Sequence, residues 1–360
     1  MTGTTPMRPS TAPRLSRRQA LKVLAATLAV PVGVASLSRL GEQPAFQTWQ
    51  GESLGGPANL TLWHPNAAFA RATIARMRSE VERLELVFSL FRHDSEISRL
   101  NHSGRLLTPS ADLVAVLETA REVAEASNGA FDPTVQPLWK AYSDHFRQRS
   151  DIPAGPSSAI IDAARALVDY RQLEIGPRQV RFARPGMAIT LNGIAQGYIT
   201  DRIADLLQQE GFDNSMVELG ETRAIGGRPE GGAWTIGLKN PRNAMEISGS
   251  TAIYNEALSV SGGHGHQFPG SELHHIFDPA SGRSAQRLLN VSVVAPRAVI
   301  ADALSTAIFV SGETAAPHLL TRYPAARATL TRLDGGEVRA AARDISLIKA
   351  DASASAGTLV

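Results

Sequence analysis

The chain changes its hydrophobic period part-way along, and that change limits the architectures open to it. From residue 67 to about residue 170 apolar side chains recur at helical spacing. Beyond residue 179 short apolar runs are cut by Gly, Pro and Asn at strand-like intervals. Helices gathered in the first half and strands in the second argue for an α+β fold rather than a regular βαβ succession.

A first helix is expected over Ala67–Phe91, with Ile74, Met77, Val81, Leu84, Val87 and Phe88 inward, breaking at His93-Asp-Ser95. Ser110 reads as the N-cap of a second, whose face is Leu113, Val116, Leu117, Ala120, Val123 and Ala124, with Asn128-Gly129 as its stop. Further helices are expected over Phe131–Trp139 and Ser157–Tyr170, then a hairpin of Gln179–Phe182 with Ala188–Leu191 turning at Pro185-Gly186. A helix over Thr200–Glu210 stops at Gly211. Strands follow at Ser215–Leu219, Trp234–Leu238, Thr251–Tyr254, Ala257–Ser261, His275–Phe277 and Asn290–Ala295, and a late helix runs from about Val299 to Val310.

The 360 residues are 43% hydrophobic, enough for one large or two smaller cores. There is no cysteine, so disulfides, thiolate metal sites and a cysteine nucleophile are excluded, and any metal must be held by oxygen or imidazole. The first 40 residues hold six basic and no acidic side chains, leaving 30 Lys and Arg against 34 Asp and Glu in the rest. The basic excess therefore belongs to a leader, and the reading excludes nucleic acid as a partner.

That leader has the order of a twin-arginine export signal. Ser16-Arg-Arg-Gln-Ala-Leu-Lys22 precedes a mostly apolar run, Val23–Leu37, interrupted by Pro31 and Gly33 and too short to span a bilayer, which takes roughly 20 residues. The chain then divides into a signal peptide over 1–40, a linker over 41–58, one domain with room for two lobes over 59–345 and a flexible tail over 346–360. The expected location is the periplasm, and the twin-arginine translocase is an expected partner.

Three segments carry chemistry. Thr190-Leu-Asn-Gly-Ile-Ala-Gln-Gly197 is a glycine-punctuated turn entering a helix, where backbone can approach an anion and free amides face it. Ala301-Asp-Ala-Leu-Ser-Thr306 puts a carboxylate and a hydroxyl on one helix face, where both oxygens can meet a hard cation. His274-His-Ile-Phe-Asp-Pro-Ala-Ser-Gly282 is a turn-rich segment holding a candidate proton acceptor. Together they suggest magnesium-assisted chemistry on a diphosphate.

Six ordered motifs resemble the ApbE family of FAD:protein FMN transferases: Glu96-Ile-Ser-Arg-Leu-Asn101, Gly129-Ala-Phe-Asp-Pro-Thr-Val-Gln-Pro-Leu138, Gly193-Ile-Ala-Gln-Gly-Tyr198, His275-Ile-Phe-Asp-Pro-Ala-Ser-Gly282, Val291-Ser-Val-Val-Ala-Pro296 and Ala301-Asp-Ala-Leu-Ser-Thr306. The resemblance spans roughly residues 60–335, and its wording is most similar to the NosX branch. It implies a mixed fold with helices packed on antiparallel sheets and a flavin site between two lobes. It also implies FAD as substrate, Mg2+ as cofactor, and transfer of the FMN half to a Ser or Thr hydroxyl of an acceptor protein with release of AMP. By that resemblance the metal is held by Asp302, Thr306 and the Gly193 carbonyl, while FAD contacts Ala130, Phe131, Asp132, Thr190, Gln196 and Phe277. His275 is the implied proton acceptor and, with Asp302, a catalytic residue. The implied acceptor is a NosR-like electron-transfer flavoprotein, or else an ion-pumping quinone reductase subunit.

Departures and rival readings stay beside this. Thr190 and Gln196 stand where many members carry charges, the usual glycine pair is Gly220-Glu221, and a Ser-Gly-Asp/Ser-Tyr run has become Ser261-Gly-Gly-His-Gly-His266. A protein that carries FAD without transferring it, or one that hydrolyses its diphosphate, remains an alternative. Asp302 alone reads as a helix-start acid, and Gly193 and Gly197 as packing glycines. His264, His266, His274 and His275 lack acidic or thiol partners at zinc spacing.

Overall fold

The computed structural model describes residues 30–31, 46–64, 66–148, 154–342 and 344–347. The twin-arginine motif, nearly all of the expected signal peptide and the tail from residue 348 onward lie outside the described residues.

In chain order the elements are β1 (Val30–Pro31), β2 (Phe46–Ser53), β3 (Gly56–Trp63), α1 (Ala67–Phe88), α2 (Glu96–Ser103), β4 (Arg105–Leu107), α3 (Ala111–Ala126), α4 (Gln136–Gln148), α5 (Ser158–Arg165), β5 (Leu173–Ile175), β6 (Gln179–Phe182) and α6 (Ala195–Gln209). There follow β7 (Ser215–Glu218), β8 (Thr222–Ile225), β9 (Trp234–Asn240), β10 (Asn243–Ile253), β11 (Ala257–Gly262), β12 (Phe277–Asp278), β13 (Arg283–Ser284), β14 (Leu288–Ala295), α7 (Ala298–Ser311), α8 (Ala316–Thr321), β15 (Arg327–Arg332), β16 (Glu337–Ala341) and β17 (Asp344–Leu347). The fold is α+β, with helices packed on antiparallel sheets.

A nine-stranded sheet in the order β17-β16-β15-β14-β11-β8-β7-β3-β2 is antiparallel throughout. Alternation along its strands gives it two apolar faces. Leu60, Leu62, Val217, Val291, Val293 and Ala295 point into the main core under the helices. Met216, Ala224, Leu258 and Val294 point the other way, onto Trp234, Ile236 and Ile253 of the β9–β10 hairpin. α7 lies on β11 and β14 and is buried on nearly every side. Each of its Leu304, Ile308 and Phe309 side chains contributes about 1.5–3 kcal/mol by leaving water.

Caps act where the sequence signals them. Ser110 Oγ accepts from Leu113 N at 3.1 Å, and all six expected face residues of α3 are buried. Ser95 caps α2 in the same way, accepting from Ser98 N at 3.2 Å.

Several expectations are corrected. Residues 46–58, read as linker, are strand-paired: β2 and β3 are joined by the tight turn at Leu54-Gly55, and every residue of β2 has a partner in β3. The Gly and Gln content there suits a two-residue hairpin and an edge strand rather than a spacer. The expected hairpin of 179–182 with 188–191 does not form, because β6 pairs with β4 and β5 instead. Ile189 is held by a side chain, with Asn101 Oδ1 accepting from Ile189 N at 2.7 Å and Asn101 Nδ2 donating to Ile189 O at 2.8 Å. The helix expected over 131–139 starts late. Pro133–Val135 is a 3-10 turn capped by Asp132, and α4 then runs to Gln148. His275 lies outside β12.

Candidate active site

α7 is fixed at its start by a neighbouring helix. Asp201 of α6 accepts from Ala298 N at 2.9 Å and from Val299 N at 3.0 Å, so both orphan amides are capped by one carboxylate from outside the helix. Arg297 grips Asp205 through two hydrogen bonds of 2.6 and 2.9 Å and lies 3.3 Å from Asp201. The two helices cross so closely that a Cβ at Gly197 would lie 2.4 Å from the Ala298 carbonyl oxygen. Gly197 is thus a packing glycine, and the close crossing also brings its amide to Asp302, whose Oδ2 accepts from Gly197 N at 3.0 Å.

Asp302 is 3% exposed, and Oδ1 makes no hydrogen bond among the described residues. Burial pushes its carboxyl up to about 8, against the pull of the Gly197 amide. One turn on, Thr306 Oγ1 lies 3.2 Å from Ser261 Oγ of β11. Gly193 comes against the same hydroxyl: a Cβ there would be 2.9 Å from Thr306 Oγ1 and 3.5 Å from Phe131. The Gly193 carbonyl takes part in no hydrogen bond among the described residues. A buried carboxylate oxygen, an alcohol and a free carbonyl are hard oxygen donors, and they fit a divalent cation such as Mg2+.

Sequence reasoning left out two residues here. Glu221, in the turn between β7 and β8, is 6% exposed, and its carboxyl is raised well above the usual range by burial and then by the negative charge of Asp302, while Ser259 hydrogen-bonds it. The unusual Gly220-Glu221 pair was the available signal. Ser305 was also missed. Its Oγ donates to Asp302 O at 2.9 Å and lies 3.1 Å from Ser259 Oγ and 2.7 Å from Ser261 Oγ, tying α7 to β11.

The histidines differ in role. His274 Nε2 donates to Ala285 O at 2.7 Å and its Nδ1 accepts from Ile276 N at 3.3 Å, so the ring is fully engaged, and burial pushes it down to about 4. His275 Nδ1 lies 3.2 Å from His266 O; since a carbonyl only accepts, that nitrogen carries the proton and Nε2 is left as an acceptor. Burial, followed by His274 and His266, pushes His275 down to about 3, so its imidazole is neutral at neutral pH. Among the described residues no group of three or more His, Asp or Glu side chains is placed to hold a metal ion.

The residues expected to contact FAD separate into two sets. Phe131, Gly193 and Thr306 meet, and Ala130 immediately precedes Phe131. Thr190 N donates to Pro133 O at 2.8 Å, joining the glycine turn to the 131–135 segment, and its Oγ1 accepts from Asn192 N at 3.2 Å. Gln196 is 5% exposed, packs on Gly220 and leaves Nε2 without a partner. Asp132 spends both carboxylate oxygens on holding the local backbone, with Oδ1 accepting from Thr134 N and Oγ1 at 2.7 and 2.6 Å, and Oδ2 from Tyr170 N at 3.0 Å. Phe277 is 3% exposed and packs on Tyr142 with ring centroids 4.8 Å apart, in a separate aromatic cluster. Phe268 packs against the same ring, with centroids 6.5 Å apart. Both the Phe131–Leu138 and Ile276–Phe277 segments pass from the main core into that cluster.

Over most of its length the chain is similar to proteins of one family. The family model described as ApbE family matches residues 54–330. An FAD:protein FMN transferase of Treponema pallidum is 30% identical over 72% of this chain and 76% of its own length. One of Vibrio cholerae is 30% identical over 78% and 87% respectively. Among solved structures, the flavin transferase ApbE of Vibrio cholerae superposes with a TM-score of 0.70 at 26% identity, covering 83% of this chain and 99% of the other. The ApbE protein of Thermotoga maritima gives 0.74 at 25% identity, over 82% and 97%.

Proposed function

The chain belongs to the ApbE family, and we propose that it is an FAD:protein FMN transferase dependent on a divalent cation, Mg2+ in the cell. The observation that carries the reading is the convergence of Gly193, Asp302 and Thr306 beside the Phe131 and Gln196 segments.

In this reading Asp302 Oδ1, Thr306 Oγ1 and the Gly193 carbonyl would hold the cation, which would supply positive charge to the FAD diphosphate. His275 Nε2 accepts the proton from a Ser or Thr hydroxyl of the acceptor as its oxygen bonds to the FMN phosphorus. The phosphorus–oxygen bond to AMP breaks and AMP leaves with the electron pair. His266 O holds the imidazole in the tautomer that leaves Nε2 open. The low proton affinity of resting His275 rises when the anionic diphosphate lies beside it.

The wording of the glycine turn, the Leu219-Gly-Glu221 turn and the twin-arginine leader favour a NosX-like, periplasmic protein reached through the twin-arginine translocase, acting on a NosR-like acceptor in nitrous oxide reductase maturation. An ion-pumping quinone reductase subunit is the second acceptor to try. Incubation with FAD, Mg2+ and a candidate acceptor domain tests the whole reading. Flavin fluorescence on the denatured acceptor means transferase; free AMP and FMN with an unlabelled acceptor mean diphosphate hydrolysis; FAD recovered intact means a carrier.

A further inference from the structure

We infer that Glu221 is a second carboxylate of the divalent-cation site, facing the cation from the sheet while Asp302 faces it from α7. The inference deepens the cation-dependent reading above and rests on it.

Strand register places the side chain. β8 pairs with β11 through Thr222↔Leu258 and Arg223↔Ala257, so Glu221, one residue earlier, falls opposite Ser259. Ser259 faces α7, where its Oγ lies 3.1 Å from Ser305 Oγ, and it hydrogen-bonds the Glu221 carboxyl. The backbone reaches the same point by another route. Gly220, at φ 95°, passes so close to Gln196 that a Cβ would sit 2.5 Å from the amide carbon, and the residue after Gln196 is the one whose amide holds Asp302. Glu221 therefore lies between the start of α6 and the Asp302–Thr306 turn.

Among the described residues no cation answers its charge. Glu221 is 6% exposed, makes no ion pair among the described residues, and meets the Ser259 hydroxyl. The Gln196 side chain that packs against Gly220 leaves its amide nitrogen buried and without a partner among the described residues. A divalent cation is the counter-charge that two buried carboxylates can share, and a hard cation gains affinity with each carboxylate around it.

Glu218, three residues earlier, provides the control. It shares the strand face of Met216, which packs under the β9–β10 hairpin, so it is a buried acid on the far side of the sheet.

The test is Mn2+ alone titrated into the full chain, with free Mn2+ followed by electron paramagnetic resonance, for the wild type and for Glu221→Gln, Glu221→Asp and Glu218→Gln. The expected result is at least tenfold weaker binding for Glu221→Gln, recovery to within about threefold of wild type for Glu221→Asp, and no change for Glu218→Gln. Binding by Glu221→Gln within twofold of wild type overturns the inference while leaving the Asp302 site standing, and so do equal losses in Glu221→Gln and Glu221→Asp. Absence of Mn2+ binding by the wild type overturns the cation reading itself. Should Glu221→Gln fail to fold, Glu221→Ala takes its place, and binding by that variant within twofold of wild type overturns the inference in the same way.

Discussion

The amide of Gly197 donates to Asp302 Oδ2 at 3.0 Å across a helix crossing where no Cβ fits. One contact therefore belongs both to the packing of the helices and to the setting of the carboxylate, since it engages Oδ2 at the crossing and leaves Oδ1 without a hydrogen bond among the described residues. The glycine that lets α6 approach α7 also orients the acid.

Gly197→Ala tests that coupling. Its methyl carbon would lie 2.4 Å from Ala298 O and 2.8 Å from Val299 Cα, which are backbone atoms that move only if the helices separate. Overpacking of this kind destabilises by about 1–3 kcal/mol. Urea denaturation should show a loss in that range, with Mn2+ affinity falling too because Asp302 is displaced. Wild-type stability would mean that the crossing is looser than the structure has it.

Asp201 is a scaffold acid. It caps two amides of α7 and is the nearest counter-charge to buried Arg223, whose Nε lies 3.8 Å away. Asp201→Ala strands both amides and a buried guanidinium, a loss of about 3 kcal/mol. The urea midpoint should fall accordingly. Asp201→Asn, which can still accept from one amide, should fall less.

Much of this was legible beforehand, for physical reasons that differ by residue. Ser110 and the α3 face were readable because a cap and a 3.6-residue period are local. The Asp302–Thr306 pair was readable because spacing on one helix fixes relative direction. Whatever depends on distant partners was not. The β15–β17 end of the sheet carries weak alternation, and Ile189 looks extended until Asn101 is seen to bond both its backbone groups. Phe277 carries an aromatic ring in a family motif, yet nothing in the motif says that it packs against Tyr142. Glu221 looked like a turn residue because its burial is imposed by β11 and α7, far along the chain.

His274 makes stability fall in acid. Its folded-state value of about 4 lies below the ordinary 6.5, so between those values the unfolded chain binds a proton that the folded chain refuses. Stability is then complete above about pH 6.5 and declines by about 1.4 kcal/mol per pH unit on the way down, roughly 3 kcal/mol by pH 4. Unfolding free energies measured across that window should show the slope, and His274→Gln should reduce it by about one proton's worth. An unaltered slope would assign the acid sensitivity elsewhere.

His275 is expected to matter to the reaction and little to binding. His275→Asn keeps a side chain able to donate to His266 O but cannot accept the hydroxyl proton at the position of Nε2. Flavin transfer to an acceptor domain should slow by about 10²–10⁴-fold while FAD retention and thermal midpoint stay near wild type. Parallel losses of FAD retention would instead make the residue part of the binding surface.

Asp302 separates stability from function. Its carboxyl is raised from 3.8 to about 8, so over that range the unfolded chain has released a proton that the folded chain keeps, and stability without a cation declines as pH rises. Asp302→Asn abolishes that ionisation while its amide oxygen still accepts from Gly197 N. In chelator at pH 7.5 the variant should therefore be more stable than wild type, by about 2 kcal/mol. Added Mg2+ should raise the thermal midpoint of the wild type and leave the variant unmoved, and cation-dependent flavin transfer should disappear from the variant. A variant that loses stability in chelator would show that Asp302 is held ionised by something other than a cation, and an unchanged transfer rate would remove it from the site.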